Sequence, residues 1–289
     1  MKKKEDFILL NGKEIADKIY GNLPNGKGRE LSIITIGDND ASERYVKTKI
    51  KACERVNLVG KHYHFKEDVS CEEVSSLIKS LNLNSNVVGI IIQRPYPKRF
   101  HGFEDLIWIE KDVDGLNRNN MYSTLLNGNI NEHSLCPATP KGIIRLLDEY
   151  NLPIEGKKVV IIGRSEIVGK PLASMMEARN ATVTLCHSKT NIEDLKLLTS
   201  QADIIVSAVG KAKYLNSTYL EQDNDGGFIT MNSPIIIDVG MNRDSNGKLC
   251  GDVDFDSVKP YVKAITPVPK GVGPMTVAEL IANCFVNFA

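Results

Sequence analysis

Apolar runs and amphipathic stretches alternate along this chain in the manner of strands and helices. Short apolar runs at residues 7–10, 31–36, 87–92, 159–162, 202–209 and 235–239 have the length of buried strands. Most of them end at a glycine or a polar turn. Residues 61–65 and 181–186 are strand-like as well. Helical patterning covers 13–20, 42–57, 140–150, 169–179, 191–200 and 274–288, with a shorter candidate at 103–110. Ser70 and Glu73 make an S-x-x-E capping box that opens a helix to Leu81. Thr139 and Pro140 read as N-cap and first helical position. Residues 23–29 are a loop, and 265–273 are extended, restricted by Pro267, Pro269 and the following Pro274. The polar stretch 215–233 fits no element. Strands separated by helices predict an α/β protein.

The most informative unit spans residues 157–188. A strand breaks at Gly163, Gly169 and Pro171 open a helix, Asn180 stops it, and a second strand follows. This is a β-α-β unit of the length of a dinucleotide half-site. The turn from Gly163 to Gly169 can bring backbone N–H groups to a pyrophosphate at a helix N-terminus. Its glycine spacing departs from G-x-G-x-x-G, and an ordinary α/β turn with basic surface residues would look alike. The end of the second strand discriminates further. An NAD site carries Asp or Glu there; this chain has Cys186, His187, Ser188, Lys189 and Thr190, and no acid before Glu193. With Arg164 in the turn, a hydroxyl and two cations suit a ribose 2′-phosphate and hence NADP.

The helix at 42–57 carries a second signal. At 100° per residue, Tyr45, Val46, Lys49, Ile50, Ala52, Cys53 and Val56 share one arc, while Lys47, Lys51, Glu54 and Arg55 face away. Lys49 is the one charge within the apolar face, a turn beyond Tyr45. Burial strips hydration from an ammonium and lowers its pKa toward acid–base work. Taken alone, a lysine snorkelling from the edge of the face is the commoner arrangement. Gln93 follows an apolar strand at its carboxyl end, where open α/β sheets place ligands. The sequence KDVDG at 111–115 is either a turn or a carboxylate set for the N–H donors of a heterocycle.

A chain of 289 residues can form one large or two ordinary domains. The 36 basic and 36 acidic residues cancel, and no basic patch follows the lysines at 2–4, so nucleic acid is not an expected partner. Those lysines precede Glu5 and Asp6 without a long apolar core, which does not read as a signal peptide. No run reaches the length of a membrane span, and no membrane partner is expected. The six scattered cysteines lack a C-x-x-C and suit reduced thiols in the cytoplasm. His62 and His64 would share a strand face, but no nearby Cys or acid completes a metal site, and no metal is expected.

Nine segments carry a resemblance over nearly the whole chain: ASERYVKTKIKA (41–52), GIIIQRP (89–95), KDVDG, PATPKG (137–142), GRSEIVGKP (163–171), ATVTLCHSKT (181–190), IDVG (237–240), GDV (251–253) and TPVPKGVGPMT (266–276). In this order they resemble the bifunctional methylenetetrahydrofolate dehydrogenase/methenyltetrahydrofolate cyclohydrolases of the FolD type. The resemblance implies an N-terminal α/β folate and catalytic domain, 1–138 plus 272–289, with a C-terminal helix returning to it. It implies a Rossmann-like NADP domain at 139–271, folate in the cleft between the domains, and a homodimer formed through the NADP domain. The implied activity oxidises methylenetetrahydrofolate with NADP and hydrolyses the methenyl product.

By the same resemblance Lys49 is the general acid/base, Gln93 the amide that positions it, Tyr45 the ring packed on folate and Asp114 the pterin carboxylate. Pro95, Gly271, Val272 and Pro274 fall on the folate side. Cofactor contacts fall at Thr139, Gly163, Arg164, Ser165, Val168, Gly169, His187, Ser188, Ala208, Gly210, Asp238 and Gly240. Four places depart from the pattern. Lys270 stands at the first glycine of PVPGG, where a positive φ would strain it. Ala138 replaces a frequent Cys, Arg94 a frequent Leu, and 223–234 is more polar than expected. A monofunctional dehydrogenase or a non-catalytic folate and NADP binder are the alternatives. An unrelated NADP dehydrogenase for a small acid would leave KDVDG unexplained.

Overall fold

The computed structural model describes residues 7–128, 135–220 and 233–287. The lysines at 2–4 and most of the polar stretch 223–234 lie outside the described residues. The chain divides into two compact units: Met1–Ile15 with Thr139–Thr276, and Ala16–Ala138 with Val277–Ala289.

The chain opens with β1 (Ile8–Leu9) and α1 (Gly12–Asn22). Next come β2 (Glu30–Ile36), α2 (Asp40–Glu54), β3 (Val59–Phe65), α3 (Cys71–Leu83) and β4 (Val87–Ile92). The strands form a parallel sheet in the order β3-β2-β4. Every residue of β2 and β4 is buried, which is why β4 reads as an unbroken apolar run and β2 as a mostly apolar one, interrupted by Glu30, Ser32 and Thr35. Ile34, Ile36, Ile78, Ile90 and Phe100 pack in the core of this unit. Each such side chain contributes roughly 1.5–3 kcal/mol by leaving water. The capping box forms as expected: Ser70 Oγ accepts the N–H of Glu73 at 3.1 Å.

The predicted helix at 103–110 is instead two short 3-10 turns, Phe103–Leu106 and Ile109–Lys111. Asn82 explains the break. Its side chain accepts the N–H of Trp108 at 3.0 Å and donates to the carbonyl of Leu106 at 2.8 Å, the groups a continuous helix would need. Lys111, the first residue of KDVDG, sends Nζ to the carbonyls of Leu81, Asn82 and Asn84 and so closes the C-terminus of α3. α4 (Arg118–Asn127) follows.

Beyond it, α5 (Ala138–Glu149) leads into β5 (Lys158–Ile162), α6 (Gly169–Glu177), β6 (Thr182–Cys186), α7 (Ile192–Ser200), β7 (Ile204–Ser207) and β8 (Ile235–Asp238). A hairpin of β9 (Asn242–Arg243) and β10 (Leu249–Cys250), the short α8 (Phe255–Val258), β11 (Ala264–Ile265) and α9 (Val272–Asn283) complete the order. The sheet runs β1-β11-β8-β7-β5-β6, parallel throughout. Chain order reverses at β5, which has β6 on one side and β7 on the other. Ligands bind at such switch points, beyond the carboxyl ends of the strands.

Three boundaries differ from the sequence pattern. β1 pairs with β11 and so joins the six-stranded sheet, although residues 1–138 read as one stretch. α5 starts at Ala138, so Thr139 lies in its first turn rather than at its cap. The closing helix begins at Val272 and its regular part ends at Asn283.

Candidate active site

α2 turns Lys49 into the unit's interior. Lys49 is 7% exposed, while its neighbours Lys47 and Lys51 lie at the surface. Burial lowers its pKa, and the carboxylate of Asp114 works against that shift. Its Nζ donates to Oε1 of Gln93 at 2.8 Å. Gln93 follows β4, and its own N–H extends the ladder to the carbonyl of Ile34 at 2.8 Å. The partner matters chemically. A neutral amide accepts from the ammonium without the negative charge that would lock the proton in place. Tyr45, one turn earlier on α2, is 39% exposed, and burial of part of its ring raises the phenol pKa. Pro95 is exposed just beyond Gln93.

The two acids of KDVDG divide their work. Asp112 is buried and accepts from the N–H of Leu116 and Asn117 and from Nδ2 of Asn120, at 3.1, 2.8 and 2.8 Å. Burial pushes its pKa up to about 6. It organises the approach to α4. Asp114 is half-buried, stays outside that network and acts on Lys49 through space. Gly115 holds φ +68, and a Cβ there would lie 2.3 Å from the carbonyl carbon of Cys136.

In the other unit, the turn after β5 folds back on itself. Gly163 has φ +124, and a Cβ there would sit 2.3 Å from the carbonyl oxygen of Ala208 at the end of β7. A Cβ on Gly169 would sit 1.9 Å from the carbonyl oxygen of Gly163. Ser165 Oγ accepts the N–H groups of Val168 and Gly169 at 3.2 and 3.4 Å, steadying the start of α6. Arg164 is exposed. After β6, the N–H of His187 donates to Thr190 Oγ1 at 2.9 Å and the N–H of Lys189 to His187 Nδ1 at 3.2 Å. This closed turn leaves Ser188 and Lys189 at the surface. Cations and a hydroxyl beside a glycine-tight turn fit a phosphorylated dinucleotide.

Asp238, which the resemblance sets among the cofactor contacts, is buried after β8. Its carboxylate accepts the N–H groups of Gly240, Asp252 and Val253 at 3.0, 2.9 and 3.0 Å, and burial pushes its pKa up to about 7. Asp252, fully buried, was not among the expected site residues. It accepts the N–H groups of Val209, Gly210 and Lys211 and Nδ2 of Asn242, at 2.7, 3.2, 2.9 and 2.8 Å. The two acids therefore tie the turns after β7 and β8 to the segment after β10. Gly240 permits this, since a Cβ there would lie 2.1 Å from the Asp252 carboxylate. The available signal was the pairing of IDVG with GDV.

The loop after β11 is tightly built. Lys270 takes φ +84, the strained conformation its departure from glycine implied. Its carbonyl accepts the N–H of Lys13 at 3.1 Å. A Cβ on Gly271 would lie 2.5 Å from the carbonyl oxygen of Pro267. Val272 starts α9 with Pro274 in its first turn, and Thr276 Oγ1 meets Thr139 Oγ1 at 3.0 Å. Among the described residues no group of three or more metal-ligating side chains converges, and no helix is long and apolar enough to cross a membrane.

These features define an α/β protein with a dinucleotide-type unit and a second unit built around a buried lysine–amide pair. Known proteins of that description match closely. The family profile described as tetrahydrofolate dehydrogenase/cyclohydrolase, catalytic domain, fits residues 10–114, and its NAD(P)-binding domain fits 137–289. The chain is 42% identical over 286 residues to the bifunctional protein FolD of Agathobacter rectalis, covering 96% of this chain and 97% of that one. The crystal structure of the bifunctional enzyme FolD from Campylobacter jejuni superposes with a TM-score of 0.87 at 39% identity, over 96% of this chain and 97% of that one. The Trypanosoma brucei dehydrogenase-cyclohydrolase, complexed with NADP cofactor and inhibitor, gives 0.86 at 27% identity, over 98% and 97%. The chain belongs to the tetrahydrofolate dehydrogenase/cyclohydrolase family.

Proposed function

We infer that the protein oxidises 5,10-methylenetetrahydrofolate to 5,10-methenyltetrahydrofolate with NADP and then hydrolyses that product to 10-formyltetrahydrofolate. The observation that carries the assignment to this chain is the contact between Nζ of the buried Lys49 and Oε1 of the half-buried Gln93. NADP supplies the hydride acceptor. Loss of hydride from the methylene carbon is eased by the two flanking nitrogens, whose lone pairs share the positive charge. The protein's task there is alignment and exclusion of water.

Hydrolysis asks more of the side chains. Water adds to the methenyl carbon and loses a proton, and the ring opens as its nitrogen gains one. Lys49 serves as the group that takes and returns that proton, because burial lowers its pKa toward neutrality. Gln93 holds its Nζ in place. Asp114 takes the N–H donors of the pterin, and the exposed face of Tyr45 packs on the folate ring. Pro95, just beyond Gln93, lies on the folate side of this unit. On the nucleotide side, the turn from Gly163 to Gly169, with Ala208 and Gly210 opposite, receives the pyrophosphate. Arg164, Ser188 and His187 meet the adenosine phosphate end, and Thr139 borders the cofactor. Asp238 and Gly240 border the cofactor at the turn after β8, which the Asp238 carboxylate also holds in shape.

A homodimer through the nucleotide unit fits an open strand edge at β6, which pairs on one side only among the described residues. Six cysteines without a disulfide fit a cytoplasmic protein. No nucleic-acid partner is proposed for a chain of zero net charge.

The test is a paired assay of wild type and Lys49→Met, following NADPH formation and methenyl loss separately. Hydrolysis is expected to fall by about 10²–10⁴-fold while some hydride transfer remains. A wild type that accumulates the methenyl product would make this a monofunctional dehydrogenase.

A further inference from the structure

The amide of Gln93 has two unlike ends, and only one orientation serves Lys49. Oε1 must face the ammonium, since Nε2 would present N–H to N–H. That orientation is set by a second contact: Nε2 donates to the carbonyl of Arg94 at 3.0 Å. Ser42 Oγ donates to the same carbonyl at 3.2 Å. The carbonyl is placed in turn by its own residue's side chain. Arg94 Nε and Nη2 both donate to Glu104 Oε1, at 3.2 and 2.7 Å. The Tyr96 hydroxyl donates to that same oxygen, and the guanidinium lies 5.5 Å from the centre of the Tyr96 ring.

Glu104 is the fixed end. Its side chain is 6% exposed, against 42% for Arg94. A buried carboxylate stripped of its cation is costly, so the pair resists separation. The segment after β4 is thereby held at Arg94 and at Tyr96, on either side of Pro95. Arg94 was the departure from the family pattern directly beside the site amide.

We infer that Arg94, Tyr96 and Glu104 form a latch that fixes the Gln93 amide in the orientation Lys49 requires, and that Arg94 and Glu104 are positioning residues for the hydrolytic step. The inference rests on the proton-transfer role proposed for Lys49. Hydride transfer needs no proton relay, so a working latch separates the two activities, whereas a merely structural one would move them together.

The experiment compares wild type, Arg94→Leu, Arg94→Lys and Lys49→Met as full chains. It measures kcat for each activity, the pH profile of hydrolysis and thermal stability. Arg94→Leu is expected to lower the hydrolytic kcat by about ten-fold and to leave hydride transfer within about two-fold. Its pH profile should move to lower pH, because an amide free to turn no longer holds an acceptor against the ammonium. The other titratable groups that act on Lys49, namely Asp114, Cys53 and Cys284, are untouched by these changes. Arg94→Lys should recover part of the loss.

Should Arg94→Leu fail to fold, Tyr96→Phe and Glu104→Gln ask the same question more gently, with losses of about two- to three-fold confined to hydrolysis. Unchanged hydrolysis and an unchanged profile would overturn the latch, as would both activities falling in proportion. Hydrolysis surviving in Lys49→Met would overturn the role of Lys49 and the latch with it. Hydrolysis lost in Lys49→Met but intact in Arg94→Leu would overturn the latch alone.

Discussion

Lys49 and Gln93 meet through side chains carried by two regular elements, α2 and the end of β4. The turns after β5, β7 and β8 meet through backbone, with glycines where any Cβ would collide and two buried acids gathering N–H groups. The first region can lose a functional group while its scaffold stands. The second has no such separation, because the atoms proposed above to face a nucleotide are the atoms that hold the fold. Chemistry placed on side chains should respond to mutation in rate. Recognition placed on backbone should respond in stability and affinity together.

Asp252→Ala would test that contrast most harshly. It strands several buried N–H groups and should cost about 3–5 kcal/mol of stability, with NADP affinity falling in step. Chemical denaturation alongside NADP titration reads both, and an affinity loss without a stability loss would break the comparison. Gln93→Leu is the counterpart. Hydrolysis should fall about 10- to 100-fold while the melting temperature stays within a few degrees of wild type. A large drop in melting temperature would put the amide in the same class as the buried acids.

pH probes the backbone region without mutation. Asp238 titrates at about 7 in the fold against 3.8 in an open chain, so between those values the native state keeps a proton that the unfolded state gives up. This group therefore makes stability fall as pH rises toward 7 and leaves it level above. Asp112 adds the same slope up to about 6. Melting curves from pH 5 to 8 should show the decline, and Asp238→Asn should flatten its upper part. An equal slope in that variant would remove Asp238 as the cause. The smallest effect is expected at Lys270→Gly, where relief of φ +84 should stabilise by about 0.5–1 kcal/mol, or about 2 °C. A lower melting temperature would mean that the lysine side chain makes contacts worth more than the strain.

Much of this was legible in the residues alone. β2, β4, β5, β7 and β8 are buried strands of parallel sheets and carry apolar residues on both faces, so they announce themselves. Lys49 stood out because helical spacing set it in an apolar face. That Gln93 is its partner came only from the resemblance, since Gln93 lies 44 residues away on another element and no local pattern joins them. β1 and β11 have two residues each and pair from opposite ends of the chain, which no local pattern encodes. The helix expected at 103–110 failed for a similar reason: the group that interrupts it, Asn82, belongs to α3. By pattern alone Asp112 and Asp114 are equivalent in KDVDG; the resemblance singled out Asp114, and burial with three hydrogen bonds gives Asp112 its separate structural role. Asp252 entered the sequence reading only as the middle of GDV, and its role depends on three segments that converge only in the fold.

The interleaving of the two units carries a consequence for the ribosome. One unit takes residues from Met1–Ile15 and Thr139–Thr276, the other from Ala16–Ala138 and Val277–Ala289. Synthesis delivers β1 long before β11 exists to pair with it, and delivers the lysine–amide pair before the last segment of its own unit. Neither unit can be finished early and set aside while the other is made. α9, which spans the boundary at Thr276, follows all the other described elements, and its arrival supplies residues to both. A chain released before α9 would thus leave two unfinished cores exposed to chaperones and proteases, where a simple tandem arrangement would leave one.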